Sequence, residues 1–157
     1  MSCILYLLPF LFFFVDACPN GTQVSSVNKS ICYDVRESAK GHTWYAAEYQ
    51  CQLYDNGHLA SIPDAFTNNF ITGYLHSTQS ARHFWVGGTT TLSSNASWTW
   101  SDGADFKYNS WDFGGPGNGT GYCTLLVVPE GLWDSYSCFY SSSTVLFLCE
   151  FLNTDNF

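Results

Sequence analysis

The feature that most constrains this chain is a set of six cysteines beyond residue 17: Cys18, Cys32, Cys51, Cys123, Cys138 and Cys149. An even number of cysteines in a secreted chain predicts three disulfides, and six cysteines allow 15 connectivities. A zinc site is disfavoured, because the sequence has no Cys-x-x-Cys pair. If every cysteine is paired, no thiolate is left to act as a nucleophile.

The first seventeen residues are typical of a signal peptide. Residues 4–15 are apolar, and this run is too short for a transmembrane helix, which needs about 20 residues. We expect cleavage after Ala17, which would also remove Cys3. No Lys or Arg precedes the run, which is atypical of a signal peptide. A bacterial lipoprotein is the alternative, because Cys18 would be the first mature residue. Asp16 and the glycosylation sequons disfavour that alternative.

Length and composition predict one secreted domain, residues 18–151, with a short tail over residues 152–157. The chain has 157 residues, of which 46% are hydrophobic and 18% aromatic, enough to build a core. Its net charge of −8 with only five basic residues excludes nucleic acid as a partner. No later apolar run reaches the length of a membrane span. Four sequons predict at least one glycan, at Asn20, Asn28, Asn95 or Asn118.

The order of predicted elements is that of an α+β fold. Thr43 is suited to cap a helix over residues 44–54, and Asp64 is suited to cap a second helix. On the first helix, residues spaced by three and four share one face: Trp44, Ala47, Cys51 and Tyr54. Strands follow, separated by residues 89–121, which have the composition of a long loop with aromatic anchors.

The residues that carry most enzyme chemistry do not form a recognisable set. The histidines stand at no catalytic or metal-binding spacing, and the Gly-x-Ser-x-Gly and His-Glu-x-x-His motifs are absent. The glycine-rich run at residues 114–121 does not match Gly-x-Gly-x-x-Gly, and no P-loop lysine follows it. We therefore expect a protein that is not an enzyme and that needs no cofactor.

Several segments in order resemble the C-type lectin-like domain family, over about residues 18–151. Gly57-His58-Leu59-Ala60-Ser61-Ile62 follows the first helix, and Phe84-Trp85-Val86-Gly87-Gly88 resembles the buried strand of the family. Later segments resemble its long-loop region and closing strands: residues 98–103, 108–111, 131–133 and 149–151. The resemblance implies a fold of two helices, two small antiparallel sheets and a long loop region.

The resemblance also selects one of the possible disulfide connectivities. It pairs Cys51 with Cys149 and Cys123 with Cys138, and the long form of the domain adds a third bridge from Cys18 to Cys32. The tryptophans at 85, 98, 100 and 111 are expected to anchor the core and the loop, because the family buries their equivalents.

Sugar-binding members of the family hold a calcium ion in the long-loop region. Their ligands flank a cis proline, stand two residues before the next cysteine, and follow a tryptophan as an Asn-Asp pair. Pro116 matches the proline, but its neighbours are Gly115 and Gly117, and Gly121 stands two residues before Cys123. Three positions therefore lack a side-chain oxygen, and without a metal ion the peptide before Pro116 is free to be trans.

One carboxylate survives at the position after the tryptophan. Asp134 is the sole candidate metal ligand, and calcium is expected to bind weakly at best. The candidate ligand-binding residues are Pro116, Asn118, Trp133 and Asp134, although core packing is favoured for Trp133. We expect a secreted recognition module that binds a glycan or an extracellular protein. The alternatives are a calcium-dependent lectin and, less favoured, a secreted enzyme or toxin-like effector.

Overall fold

A computed structural model of the chain describes residues 18–37 and 41–153. The proposed signal peptide and the last four residues of the proposed tail lie outside the described residues. In chain order, the elements are β1 (Gln23–Val24), β2 (Ile31–Arg36), α1 (Trp44–Cys51), β3 (His58–Leu59), α2 (Ala65–Thr78), β4 (His83–Thr89), β5 (Thr99–Trp100), β6 (Tyr122–Val127), β7 (Leu132–Ser137) and β8 (Val145–Leu152).

Both helices begin at the predicted capping residues. The Thr43 hydroxyl accepts a hydrogen bond of 3.3 Å from the Ala46 amide, and Asp64 Oδ1 accepts one of 2.8 Å from the Thr67 amide. Helix α1 ends at Cys51, three residues earlier than predicted, because the amides of residues 53 and 54 bond to carbonyls only three residues back. Neither helix within the described ranges is long and apolar enough to cross a membrane.

The strands form one eight-stranded sheet in the order β1-β2-β8-β4-β6-β7, with β3 on β8 and β5 on β4. All pairs are antiparallel except β4 with β8, which run parallel from His83 opposite Val145 to Trp85 opposite Phe147. This α+β architecture confirms the predicted fold class. The two antiparallel parts that we expected as separate sheets are joined by the parallel pair into one sheet.

The core has two clusters of buried side chains. One packs α2 against the sheet and includes Trp100 and Trp133, and the other packs α1 against the sheet through Trp44, Trp85 and Phe147. All six cysteines within the described residues are paired in the connectivity that the resemblance implies: Cys18–Cys32, Cys51–Cys149 and Cys123–Cys138. The second bridge ties α1 to β8.

Candidate functional site

The long loop lies over an aromatic floor centred on Trp133. The Trp133 side chain is fully buried, and its indole N–H donates a hydrogen bond of 2.9 Å to Asn68 Oδ1 in α2. Four rings surround it at centroid distances of 5.4 to 6.1 Å: Trp100, Phe106, Tyr108 and Trp111. Trp133 therefore packs beneath the loop and presents no side-chain surface to a ligand, in contrast to its place among the candidate ligand-binding residues.

The loop is fixed to β7 by a short parallel bridge between Trp111 and Trp133. The Trp133 amide donates to the Ser110 carbonyl oxygen at 2.8 Å, and the Asp112 amide donates to the Trp133 carbonyl oxygen at 2.9 Å. Because the two segments run side by side, the residues that follow each tryptophan come close together. These are Asp112 and Asp134.

Asp112 and Asp134 form a carboxylate pair at the surface. Partial burial raises the pKa of Asp134, the negative charge of Asp112 raises it further, and His83 lowers it. The sequence analysis included Asp134 but missed Asp112. The signal that could have found it is the repeated Trp-Asp dipeptide, at residues 111–112 and again at residues 133–134.

The glycine-rich turn after Asp112 is held by hydrogen bonds that two of its backbone amides donate. The Gly115 amide donates to the Asp112 carbonyl oxygen at 3.0 Å, and the Gly117 amide donates to the Ser135 hydroxyl at 2.7 Å. The Gly115–Pro116 peptide bond is cis, which corrects our expectation that it is free to be trans. A Cβ at Gly117 would lie 2.7 Å from the Tyr122 ring, so this position needs glycine.

Phe113 stands at the tip of the loop with its side chain fully exposed. Its amide donates a 2.7 Å hydrogen bond to Asp112 Oδ1, which fixes the backbone at the base of the ring. Pro116 is half-buried, and Asn118 is exposed. We call the surface formed by Asp112, Phe113, Pro116, Asn118 and Asp134 the loop face. The sequence analysis missed Phe113, although an apolar residue beside glycines in a polar loop was a usable signal.

Comparison with known proteins identifies the fold family. The family model described as the lectin C-type domain matches residues 40–151 of this chain. The chain belongs to the C-type lectin domain family. The match covers both helices and the strands from β3 to β7, together with most of β8.

Relatives of this C-type lectin domain include lithostathine from Rattus norvegicus, which is 32% identical over 138 residues, 85% of this chain and 78% of the relative. The galactose-specific lectin nattectin from Thalassophryne nattereri is 29% identical over 137 residues, 85% of this chain and 80% of that protein. Among solved structures, human lithostathine superposes with a TM-score of 0.71 at 28% identity, covering 86% of this chain and 99% of that chain.

The residues of this C-type lectin domain do not fit the calcium ion that sugar-binding members hold at the loop. Gly115, Gly117 and Gly121 offer no side-chain oxygen. The Ser135 hydroxyl oxygen already accepts a hydrogen bond from the Gly117 amide. Calcium needs six to eight oxygen ligands, and carboxylates supply most of its affinity. Over residues 18–37 and 41–153, no group of three or more His, Cys, Asp or Glu side chains is arranged to hold a metal ion.

Proposed function

We propose that this chain is a secreted, non-enzymatic recognition domain that binds a glycan or an extracellular protein through the loop face, without calcium. Residues 1–17 are its signal peptide and residues 18–151 its domain in this proposal. Three disulfides favour an oxidising compartment. Membership of a family that includes a galactose-specific lectin favours recognition.

The observation that carries the proposal is the chemistry that the loop face presents to solvent. The hydrogen bond from the Gly117 amide to the Ser135 hydroxyl ties the turn to β7. The loop face presents the exposed phenyl ring of Phe113 beside the carboxylates of Asp112 and Asp134. An exposed aromatic ring beside polar groups suits contact with a sugar ring or an apolar protein surface.

A non-enzymatic role is supported by the composition of the loop face. It carries two carboxylates and an amide but no histidine, thiol or activated hydroxyl. A nucleophile and its base need to lie within hydrogen-bonding distance of each other. A hydrolase screen on the purified protein checks this part of the proposal, and substrate turnover would contradict it.

Binding of the secreted protein to a glycan array, with calcium and then with a chelator, tests the proposal. We expect the same binding pattern in both conditions, and we expect the Phe113→Ser variant to lose most of the signal. Loss of all binding in chelator would overturn calcium independence. Binding to no glycan in either condition would direct the search to a protein ligand and would contradict the glycan form of the proposal.

A matched pair of sequon variants tests whether a glycan covers the loop face. Asn118 belongs to this face, whereas Asn95 is exposed outside it. We expect Asn118→Gln to strengthen array binding when the sequon is occupied, because the carbohydrate chain is removed from the contact surface. Asn95→Gln is the control and should leave binding unchanged.

The alternative is a calcium-dependent lectin, and the observation that favours it is the pair of neighbouring carboxylates, Asp112 and Asp134. Calorimetric titration with calcium separates the two functions. We expect no binding at micromolar calcium. Micromolar affinity that is lost in Asp134→Ala would establish the alternative.

A further inference from the structure

Helix α1 with the turn after it, and the end of β7 with the turn after it, carry exposed apolar side chains. Between 39% and 72% of each residue's surface is exposed, and the set consists of Tyr45, Tyr49, Leu53, Tyr136, Phe139 and Tyr140. We call this set the α1 surface. Large exposed apolar clusters on a folded domain mark places where another molecule binds.

Spacing along the chain and ring contacts make these residues one surface. Tyr45 and Tyr49 are four residues apart and share one side of α1, and Leu53 lies in the turn that follows the helix. The Tyr45 ring lies 5.2 Å from the Phe139 ring, which joins the helix to the turn. The turn continues the surface, because the Tyr140 ring lies 5.1 Å from the Tyr136 ring.

The scaffold beneath the α1 surface is rigid. The Trp44 amide at the start of α1 donates to the Cys138 carbonyl oxygen at 3.1 Å. Cys138 is in turn tied to β6 by its disulfide to Cys123. The exposed rings therefore stand on elements that are already ordered, and binding through them loses little conformational entropy.

The α1 surface is neutral although the chain is acidic. Residues 44–54 and 136–143 contain a single acidic or basic side chain, Glu48. Glu48 is buried, and its carboxylate accepts a hydrogen bond of 2.8 Å from the Leu59 amide and lies 2.6 Å from His58 Nδ1. The six side chains of the surface are therefore uncharged, and the nearest carboxylates along the chain, Asp55 and Asp134, stand at its edges, two residues from Leu53 and Tyr136.

We propose that the α1 surface is the interface of a homodimer, in which it packs against the same surface of a second copy. At roughly 200 Å² per aromatic side chain, the exposed fractions offer on the order of 500 Å² of apolar area. Polar neighbours at the edge, such as Gln50 and Ser141, extend the contact towards the roughly 800 Å² per partner of a standard interface. Aromatic enrichment with depletion of charge is also the composition of an interface core.

A two-fold arrangement suits this surface, because every member of the set is available on both copies. The Tyr45–Tyr49–Leu53 row of one copy would lie antiparallel to that of the other, with Phe139 flanking the helices. Such a dimer carries two loop faces and gains avidity for a ligand that repeats. The dimer does not depend on the proposed function, because a mass measurement requires no ligand.

Sedimentation equilibrium of the secreted, full chain over a concentration series tests the dimer. We expect the wild type to reach twice the monomer mass. Each of Tyr49→Glu and Phe139→Glu introduces a charge that faces its own copy across the two-fold axis. We expect each to raise the dissociation constant about a hundredfold or more, as loss of a central aromatic residue does.

Phe66→Glu is the matched control, because Phe66 is 78% exposed on α2, outside the α1 surface. It should leave the dimer intact, and Tyr49→Phe should do so as well. A wild type that stays monomeric at every concentration overturns the proposal. The proposal is also overturned if Phe66→Glu weakens the dimer as much as Tyr49→Glu does. The contact would then lie elsewhere, or any added negative charge would weaken it.

A second measurement on the wild type avoids variants that fail to fold. Oxidative dityrosine cross-linking of mixed unlabelled and nitrogen-15-labelled chains identifies links between copies by mass. We expect such links to join tyrosines of the α1 surface, in particular Tyr45 and Tyr49. Intermolecular links confined to other tyrosines would contradict the proposed interface.

Discussion

The Ser61 hydroxyl donates a hydrogen bond of 2.9 Å to Glu150 Oε1, although the two residues are 89 positions apart in the sequence. Glu150 lies in β8 and is buried. The negative charge of Asp102, in the loop after β5, disfavours the ionised form of this carboxyl group.

Burial is the main cause that raises the pKa of Glu150 well above its usual value, and the charge of Asp102 raises it further. Tyr33 is affected by the same carboxyl group. Burial is the main cause that raises the pKa of Tyr33, and the Glu150 charge raises it further, with smaller contributions from Asp64 and Asp102. An acid with a raised pKa in the folded state contributes stability that is fully present below its usual pKa of about 4.3 and is lost as the pH rises through its folded-state pKa.

Glu150→Gln should therefore stabilise the fold at neutral pH, by roughly 1–3 kcal/mol, because the amide carries no charge into the core. The difference in unfolding free energy between this variant and the wild type should shrink as the pH falls below the folded-state pKa. Urea titrations across a pH series measure this difference. A difference that does not change with pH would contradict the assignment.

Glu130→Gln serves as the control for that series. Glu130 is exposed, and a hydrogen bond from its own backbone amide lowers its pKa, with a smaller contribution from Arg82. A lowered pKa contributes stability above the usual carboxyl range that is lost on acidification, which is the opposite dependence. The difference curve for this variant should therefore slope the other way.

Asn68 should be a strong determinant of stability beneath the loop. Its Nδ2 donates to the Gly131 carbonyl oxygen at 2.9 Å, and its Oδ1 accepts from Trp133 Nε1 at 2.9 Å. Asn68→Ala leaves a buried donor and a buried acceptor without partners, which should cost roughly 2–4 kcal/mol in the free energy of unfolding. The exposed neighbour Asn69 provides the matched control, and Asn69→Ala should change stability by less than about 0.5 kcal/mol. Equal midpoints in urea would contradict this role.

Local chemistry made part of the fold predictable from the sequence. Thr43 and Asp64 were identified as helix caps because a capping side chain bonds to an amide only three residues ahead. The early end of α1 comes from local hydrogen bonds that apolar periodicity does not report. The parallel pairing of β4 with β8 depends on contacts distant in sequence, so periodicity could not predict it either. The cysteine count predicted three bridges, whereas their pairing came from the family resemblance.

The candidate site was predictable only in outline. The position of Pro116 was identified from the resemblance, but the approach of Asp112 to Asp134 depends on how the loop docks on β7. The sequence did not predict that Tyr45 and Tyr49 are exposed. Helix α1 has apolar residues on both sides, and the periodic pattern identified only the buried side. The pattern of a helix predicts which residues are apolar enough to be buried, and the tertiary contacts determine which of them are buried.

The three disulfides should contribute unequally to stability. Cys51 and Cys149 are separated by 98 residues, against 14 for Cys18 and Cys32. The loop-entropy model then gives about 4.7 kcal/mol for the long loop and about 3 kcal/mol for the short one. The double alanine variant of the long bridge should therefore show the larger fall in unfolding free energy, and both of its cysteines are fully buried. An equal or smaller fall, measured by denaturant titration, would show that strain or residual structure outweighs loop length.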